Sequence, residues 1–505
     1  RVMSDSFSSM TYSGRTYATP YGDYVCQHSN ALTVVGSHPM PNPSREEATT
    51  YIDTGIKEAY ESYPASKPWS HFESFSRSYY TVEGHESSLL AFQASAPYRR
   101  PTDPSWTAVT EHCLQLFDTF PRVSSLDFLN QLGDVRYEPS SAAGYGYPGK
   151  KGDDGNLSRA KGIASKLVYS FMEGNVQSVI ENATPDRAFV RTQLSDISRK
   201  TKIRHVFGEA FHHILLEGLV AQPLLQMFMS INSPYYIGRD PRIDVPRLIE
   251  NLVTRGVDMF SLDWSGFDQS VEHWEIEDFF SCLDTILNFP NEASKAAYEA
   301  TKLLFIHRKI AGPNGILYMK HRGIPSGSYY TNVADSWINY KRFQYMHHRL
   351  TGQICRPDMV HVTGDDLLAG ILPLYHLNPW SFSLIAQERE GIWQLNPDKM
   401  GYGKGGDEVD FLQRTLWIGD QKRDIDRVER LAMFPEYEVT DPRISAFRAR
   451  ALWEDSNYAS NMLAYVTAYL EQKYGTLPET EVPMHVRRWR DKVFAPLRTV
   501  LEPTL

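Results

Sequence analysis

The tripeptide Gly-Asp-Asp occurs twice, in HVTGDDLLAG (361–370) and in KKGDDG (150–155). Two adjacent carboxylates repel, and each raises the other's pKa unless a cation intervenes. A rigid Asp-Asp turn is therefore a candidate seat for a divalent metal. The two copies differ in what would hold them. Val360 and Val362 precede Asp365 and Asp366 with strand alternation, and Leu367, Leu368, Ile371 and Leu372 follow. This pattern predicts two short strands around a tight turn, with a solvated hairpin tip as the alternative. Asp153 and Asp154 lie among Lys, Gly and Asn, which predicts a polar turn without rigid support. Metal-dependent phosphoryl transfer needs a further carboxylate from another strand. SLDWSGFD (261–268) offers Asp263 at the end of an apolar run. It also offers Asp268 at the start of a helix, where an N-cap is the alternative reading.

Other stretches suit a phosphorylated ligand. PDRAFVRTQLSDISRKTKIR (185–204) carries Arg187, Arg191, Arg199, Lys200, Lys202 and Arg204 against Asp186 and Asp196. Such a run can neutralise a triphosphate and stabilise departing pyrophosphate. In GIPSG (323–327) glycine lets the backbone approach a ligand closely. The helix that follows places Thr331, Asp335 and Asn339 at every fourth position, a polar face turned to solvent or to a site. A third acidic turn, GKGGDEVDF (403–411), contains GGDE and resembles the signature of diguanylate cyclases, but Gly and Lys precede it where an apolar strand is required.

The elements that must position these residues read as mixed α+β. The stretch 257–287 predicts strand, turn and amphipathic helix, with Val271, Trp274, Phe279, Cys282, Leu283 and Ile286 on the inner side. The first ~130 residues, rich in Ser, Tyr and Pro, predict an irregular extension wrapped on the body, with helical patches such as 46–63. Residues 139–156 form a glycine-rich loop, and the chain after about 420 reads as mostly helical. With 505 residues, 42% of them hydrophobic, the chain can build roughly two to four domains or one large architecture. Cys26, Cys113, Cys282 and Cys355 are far apart and show no metal-ligand spacing, which argues against a disulfide framework or a zinc site and fits a reducing compartment. HILLEGLVAQPLLQMFM (213–229) is interrupted by Glu217 and Gln222, so it reads as a buried helix rather than a membrane span. The N-terminus lacks a signal-peptide design, and a start at Arg1 suggests that residues precede it. The net charge of −9 excludes a uniformly basic nucleic-acid coat; any positive surface must be local, and VRRWRDK (486–492) is a second, smaller basic cluster.

Taken in order, the motifs resemble those of viral RNA-dependent RNA polymerases. SSAAGYGYP (140–148) resembles motif G, the loop that admits template, and RTQLSDISRKTKIR (191–204) motif F. DWSGFD resembles motif A, GIPSGSYYTNVADSWIN motif B and TGDD motif C. LNPDKM (395–400) resembles motif D and FLQR (411–414) motif E. The PSGSYYT wording and the length look most like double-stranded RNA viruses of the partitivirus and picobirnavirus kind. The resemblance implies a closed right hand of fingers, palm and thumb, with an antiparallel palm sheet flanked by helices. It implies an N-terminal extension over 1–130 bridging fingers and thumb, fingers over 131–205, palm over 206–285 and 323–418, a fingers insertion over 286–322, and thumb and C-terminal segment over 419–505. Asp263, Asp365 and Asp366 would bind two Mg²⁺ or Mn²⁺ ions, and Lys399 would act as the acid of motif D. Arg191, Lys202 and Arg204 would contact the triphosphate. Asp268, Ser326, Thr331 and Asp335 would read the ribose, although Asp335 stands where positive-strand enzymes have Asn. Ser141, Gly144 and Tyr145 would meet the template. RNA, nucleoside triphosphates and a capsid protein are the implied partners, for a monomer without membrane association working in the virion interior and host cytoplasm. Two alternatives stay open: a reverse transcriptase, which would usually carry YxDD, and a polymerase fold kept as a non-catalytic RNA-binding protein.

Overall fold

The computed structural model describes residues 15–27, 31–39, 50–78, 80–93, 99–199, 203–389, 391–483 and 486–487. Lys200, Lys202 and the C-terminal basic cluster beyond Arg487 lie outside the described residues.

The centre is a four-stranded antiparallel sheet in the spatial order Val360–Thr363, Asp366–Ile371, Asp258–Leu262, Gly401–Gly403. Asp258–Leu262 is buried at every position, as a strand covered on both faces must be. The helix Phe211–Ser230 is buried nearly all round, as its largely apolar sequence requires. Helix Thr331–Thr351 crosses beside the sheet and stops at Gly352, whose φ of +74° suits a residue without Cβ. One continuous apolar core joins these elements, and it holds Val271, Trp274, Phe279, Cys282, Leu283 and Ile286, all expected on the inner side.

A five-stranded sheet runs Leu32–Ser37, Ile316–Lys320, Arg308–Ala311, Asp186–Thr192, Ile203–Gly208. Three distant parts of the sequence meet in it: the N-terminal segment, the stretch after helix Glu292–Ile306, and the basic run. A buried charge network ties the sheet to the centre. Arg308 bonds Asp186 at 3.2 Å and Glu209 at 2.8 Å, and lies 3.6 Å from Glu217. Burial raises Asp186 to about 7 despite Arg308, and burial beside Glu217 raises Glu209 well above the carboxylate range. One guanidinium thus faces three carboxyls, not all of them ionised.

The C-terminal helices Ile425–Met433, Pro442–Asp455 and Asn461–Tyr474 pack around a second core that also takes Ile56, Ala59, Tyr60 and Phe72 from the N-terminal segment. Asp53 caps helix Thr54–Glu61, accepts the Ser445 hydroxyl at 2.6 Å and pairs with Arg448. Strand Phe75–Arg77 pairs with Leu194–Asp196 of the basic run, and Phe75 and Leu194 rest on this second core. The first 130 residues are less irregular than their composition predicts. Pro104–Asp118 is a 15-residue helix in the central core, and Val123–Ser124 pairs with Leu287–Asn288.

Candidate active site

The hairpin predicted for HVTGDD is present. Thr363 pairs with Asp366, which leaves Gly364 and Asp365 as a two-residue loop. Gly364 takes the positive φ, +58°. Leu367 pairs with Leu262 on the neighbouring strand. The residues one step further, Asp366 and Asp263, therefore leave the sheet side by side at the same end. Helix Thr331–Thr351 fixes the turn. The Gly364 N–H donates to Ser336 Oγ at 2.8 Å, and the Gly364 carbonyl accepts from Asn339 Nδ2 at 3.1 Å. Asn339 Oδ1 accepts the Trp264 indole N–H at 2.8 Å, so one amide ties the turn to the residue after Asp263. Asp263 is held from the other side, where Asn396 Nδ2 donates to its Oδ2 at 2.9 Å.

The carboxyls crowd one another. Burial pushes Asp366 up to about 8, against a hydrogen bond from the Leu412 N–H, with Asp410, Asp365 and Asp263 adding repulsion. Asp365 is exposed at the turn, yet surrounding protein and Asp263 raise it, and Arg204 draws it partly back. Asp410 is raised by burial and by Asp263. An all-oxygen, carboxylate-rich cluster whose members resist ionising together fits hard divalent cations such as Mg²⁺ or Mn²⁺. By contrast, Asp153 and Asp154 are exposed, and Asp153 only accepts the Lys150 N–H of its own turn, at 2.8 Å.

Beside this cluster lies a second pair. Burial raises Asp335 well above the carboxylate range, helped by Asp268, while Asp268 is raised by burial only to about 6 because Asp335 hydrogen-bonds to it. Asp335 thus keeps its proton and donates; Asp268 accepts. Asp268 is in the first turn of the short helix Phe267–Ser270, whose cap position is Gly266, so the N-cap alternative does not hold. The polar face at Thr331, Asp335 and Asn339 turns inward: Thr331 Oγ1 donates to the Pro325 carbonyl at 2.6 Å, and Asp335 and Asn339 are buried. The loop before it is pressed on strand Ile203–Gly208. A Cβ on Gly327 would stand 1.9 Å from the Phe207 carbonyl oxygen, and Ser326 Oγ accepts the Phe207 N–H at 3.4 Å.

Arg191 and Arg204 are exposed and sit opposite each other in the strand ladder. Arg204 acts electrostatically on Asp268, Asp335 and Asp365, so the basic strands overlook both carboxyl clusters. Lys202 is outside the described residues. Lys399 is exposed in the turn Pro397–Lys399, three residues beyond Asn396. Further away, Ser141 is buried and its hydroxyl is engaged by the Glu138 carbonyl and Lys151. Gly144 has φ +101° and would bring a Cβ to 2.8 Å from Ala210 Cα. The Tyr145 ring is half-buried beside His38.

Sequence reasoning did not single out Ser336, Asn396, Asp410, the role of Glu217, or Asn332, whose Oδ1 accepts the Thr363 hydroxyl at 3.2 Å beside the turn. Asn396 and Asp410 adjoin or belong to the LNPDKM and FLQR strings, so position offered a signal. Glu217, noted only as interrupting an apolar run, accepts the Ser328 hydroxyl at 2.6 Å and so connects the buried charge network to the loop before Thr331.

The described chain resembles solved polymerases over most of its length. It superposes on a Sicinivirus 3Dpol RNA-dependent RNA polymerase with TM-score 0.61 at 15% identity, over 92% of this chain and 99% of that one. It superposes on the RNA-dependent RNA polymerase of a human picobirnavirus with TM-score 0.63 at 13% identity, over 92% and 94%. No curated protein matches it in sequence. The family described as viral RNA-dependent RNA polymerase matches residues 54–471, more than four-fifths of the chain, and the chain belongs to that family.

Proposed function

We propose that this RNA-dependent RNA polymerase performs template-directed ribonucleotidyl transfer with Asp263 and Asp365 as ligands of two Mg²⁺ or Mn²⁺ ions and Asp366 in support. Enzymes of the family use divalent metals and bind RNA and nucleoside triphosphates. The observation that carries the assignment is the convergence of Asp263, Asp365, Asp366 and Asp410 at one end of the central sheet, with Asp365, Asp366 and Asp410 held above the ordinary carboxylate range. Bound there, the cations would activate the primer 3′-hydroxyl and neutralise the triphosphate and its departing pyrophosphate. Arg204 and Arg191, with Lys202, neutralise the incoming triphosphate from the strands above. Asp268 accepts from the ribose hydroxyls, and protonated Asp335 fixes the Asp268 carboxyl while doing so. Ser326 and Thr331 hold the adjoining loop to the ribose side. Lys399 supplies a proton to pyrophosphate from its exposed turn. Ser141, Gly144 and Tyr145 belong to a loop that guides template, with Gly144 and Ser141 shaping the loop and Tyr145 offering a ring face.

The central sheet with its two flanking stretches serves as palm, the five-stranded sheet as fingers, the C-terminal helices as thumb, and the N-terminal segment as the bridge. The superposition on the human picobirnavirus enzyme supports a double-stranded RNA virus source. On that reading the enzyme works as a monomer inside the particle and in host cytoplasm, with capsid protein as neighbour. Among the described residues no helix is long and apolar enough to cross a membrane.

The test is incorporation of labelled nucleotide on a single-stranded RNA template with Mg²⁺ or Mn²⁺. Ribonucleotide incorporation that stops on chelation is expected. Equal use of deoxynucleotides would favour a reverse transcriptase instead. Template binding without synthesis under any metal would favour the binding-protein reading.

A further inference from the structure

A second cluster of metal-ligating groups lies far from the carboxylates in chemistry and in fold. Cys26 ends strand Gly22–Cys26, His307 follows helix Glu292–Ile306, and His321 follows strand Ile316–Lys320. All three are buried: Cys26 and His307 are 1% exposed and His321 0%. Cys26 Sγ is 3.7 Å from His321 Nδ1, and His307 Nδ1 is 2.8 Å from the same nitrogen. One ligand atom from each residue lies within 4.8 Å of the others.

We propose that Cys26, His307 and His321 bind a structural zinc ion that staples the N-terminal hairpin to the insertion strands. A thiolate with two imidazoles is a ligand set that zinc favours over Mg²⁺ or Ca²⁺. For zinc bonds of about 2.3 Å to sulfur and 2.0–2.1 Å to nitrogen, tetrahedral edges are roughly 3.5 Å for S···N and 3.3 Å for N···N. The sulfur edge already fits at 3.7 Å, and a small rotation of the His307 ring opens the nitrogen edge from 2.8 Å. The surroundings orient the ligands as outer partners of a metal do. Thr33 Oγ1 stands 3.2 Å from His321 Nε2 and donates to the Met319 carbonyl, and the His321 backbone N–H fixes the chain by donating to the Ala31 carbonyl at 2.8 Å. The rings of Tyr17 and Tyr24 pack on His307, which walls the site from water. The contact between His307 Nδ1 and His321 Nδ1 requires one imidazole to donate to the other, and a cation held by both lone pairs removes that requirement. The three protein ligands fill three of the four tetrahedral positions of zinc. The spacing of the cysteines hid this site, because Cys26 is 295 residues from His321, while His307 and His321 are 14 apart.

The test uses the full chain, expressed without an affinity tag that binds metal, purified without chelator and analysed by elemental mass spectrometry. One zinc per chain is expected in the wild type and in Asp365→Ala, falling at least tenfold in Cys26→Ser and His321→Gln. After zinc is stripped, titration with Co²⁺ should give the near-ultraviolet thiolate-to-cobalt absorption in the wild type and not in Cys26→Ser. Wild-type protein with no stoichiometric zinc and no such absorption would overturn the proposal, as would undiminished zinc in Cys26→Ser. Should the variants aggregate, the wild-type metal content and cobalt spectrum decide alone.

Discussion

Asn339 joins the two chain segments that carry Asp263 and Asp365 without being a metal ligand itself. Its carbonyl oxygen takes the Trp264 indole and its amide reaches the Gly364 carbonyl. Asn339→Leu should leave the fold intact and lower kcat by roughly a hundred-fold, as small displacements of reacting groups do, with the KM for nucleotide changing much less. Steady-state nucleotide incorporation separates the two. At the neighbouring pair, burial beside Asp268 raises Asp335 well above the carboxylate range, so a protonated Asp335 can donate as an asparagine amide would. Asp335→Asn should therefore stay within about threefold of wild-type activity, whereas Asp268→Ala should lose roughly a hundred-fold or more of the preference for ribo- over deoxynucleotide. Single-nucleotide incorporation with both substrates measures this. Asp366 gives a pH signature. Its carboxyl is raised from 3.8 to about 8, so a cation must displace its proton at neutral pH. The Mn²⁺ concentration for half-saturation should fall as pH rises towards about 8. The metal-free protein should behave oppositely. A raised folded-state pKa adds stability that is complete below the ordinary value and lost as pH rises through about 8, and Asp366→Asn should flatten that fall in melting temperature. Asp263, Asp365 and Asp366 were legible in the sequence because apolar strands bracket them. Asn339 was visible only as part of a polar stripe of undecided direction, and Asp410 only by its position before FLQR, because its partner Asp263 comes from a strand far away in sequence.

Among the elements, the loop Gly323–Gly327 is set by contact rather than by its own preference. Gly327→Ala would drive a Cβ into the Phe207 carbonyl, which is backbone and cannot swing aside. The loop must shift, and activity should drop by about a hundred-fold while the circular dichroism spectrum is retained. Behind the loop, Arg308 balances Asp186, Glu209 and Glu217, and Glu217 holds the Ser328 hydroxyl. Arg308→Met should cost about 3–5 kcal/mol by leaving carboxyls buried without their cation, read by denaturant unfolding. Such a network cannot be read from sequence, since Asp186 and Arg308 belong to two distant strands, Glu209 to the link before helix Phe211–Ser230 and Glu217 to that helix. The hairpin at 360–371 was readable from alternation and turn chemistry. The helix Pro104–Asp118 also carried a local signal: Asp103 accepts the Trp106 N–H as N-cap, with proline in the first helical turn. The same Asp-Pro start opens helices Pro241–Thr254 and Pro442–Asp455. Composition alone, rich in Ser, Tyr and Pro, concealed it.

At the scale of the molecule, the N-terminal segment touches both bodies. Tyr24 and Cys26 lie in the central core, Ile56 and Tyr60 in the C-terminal one, and Phe75–Arg77 pairs with the basic run between them. Arg204 acts on Asp268, Asp335 and Asp365, its ladder partner Arg191 lies beside it, and Leu194 of the following strand rests on the C-terminal core. The order of motifs along the chain made the family legible, because seven weak strings in one order constrain more than any alone. A bridging N-terminal extension was an expectation from that family; the contact of Asp53 with Arg448 was not visible in the sequence, since the two are 395 residues apart. The central claim is that one Gly-Asp-Asp turn performs the chemistry and the other does not. Its most direct test is metal-dependent RNA synthesis on one template by the wild type, Asp365→Ala and Asp153→Ala, each verified as folded. Synthesis by the wild type and Asp153→Ala, with Asp365→Ala at background, is the predicted result. Synthesis by Asp365→Ala at wild-type rates would contradict the account.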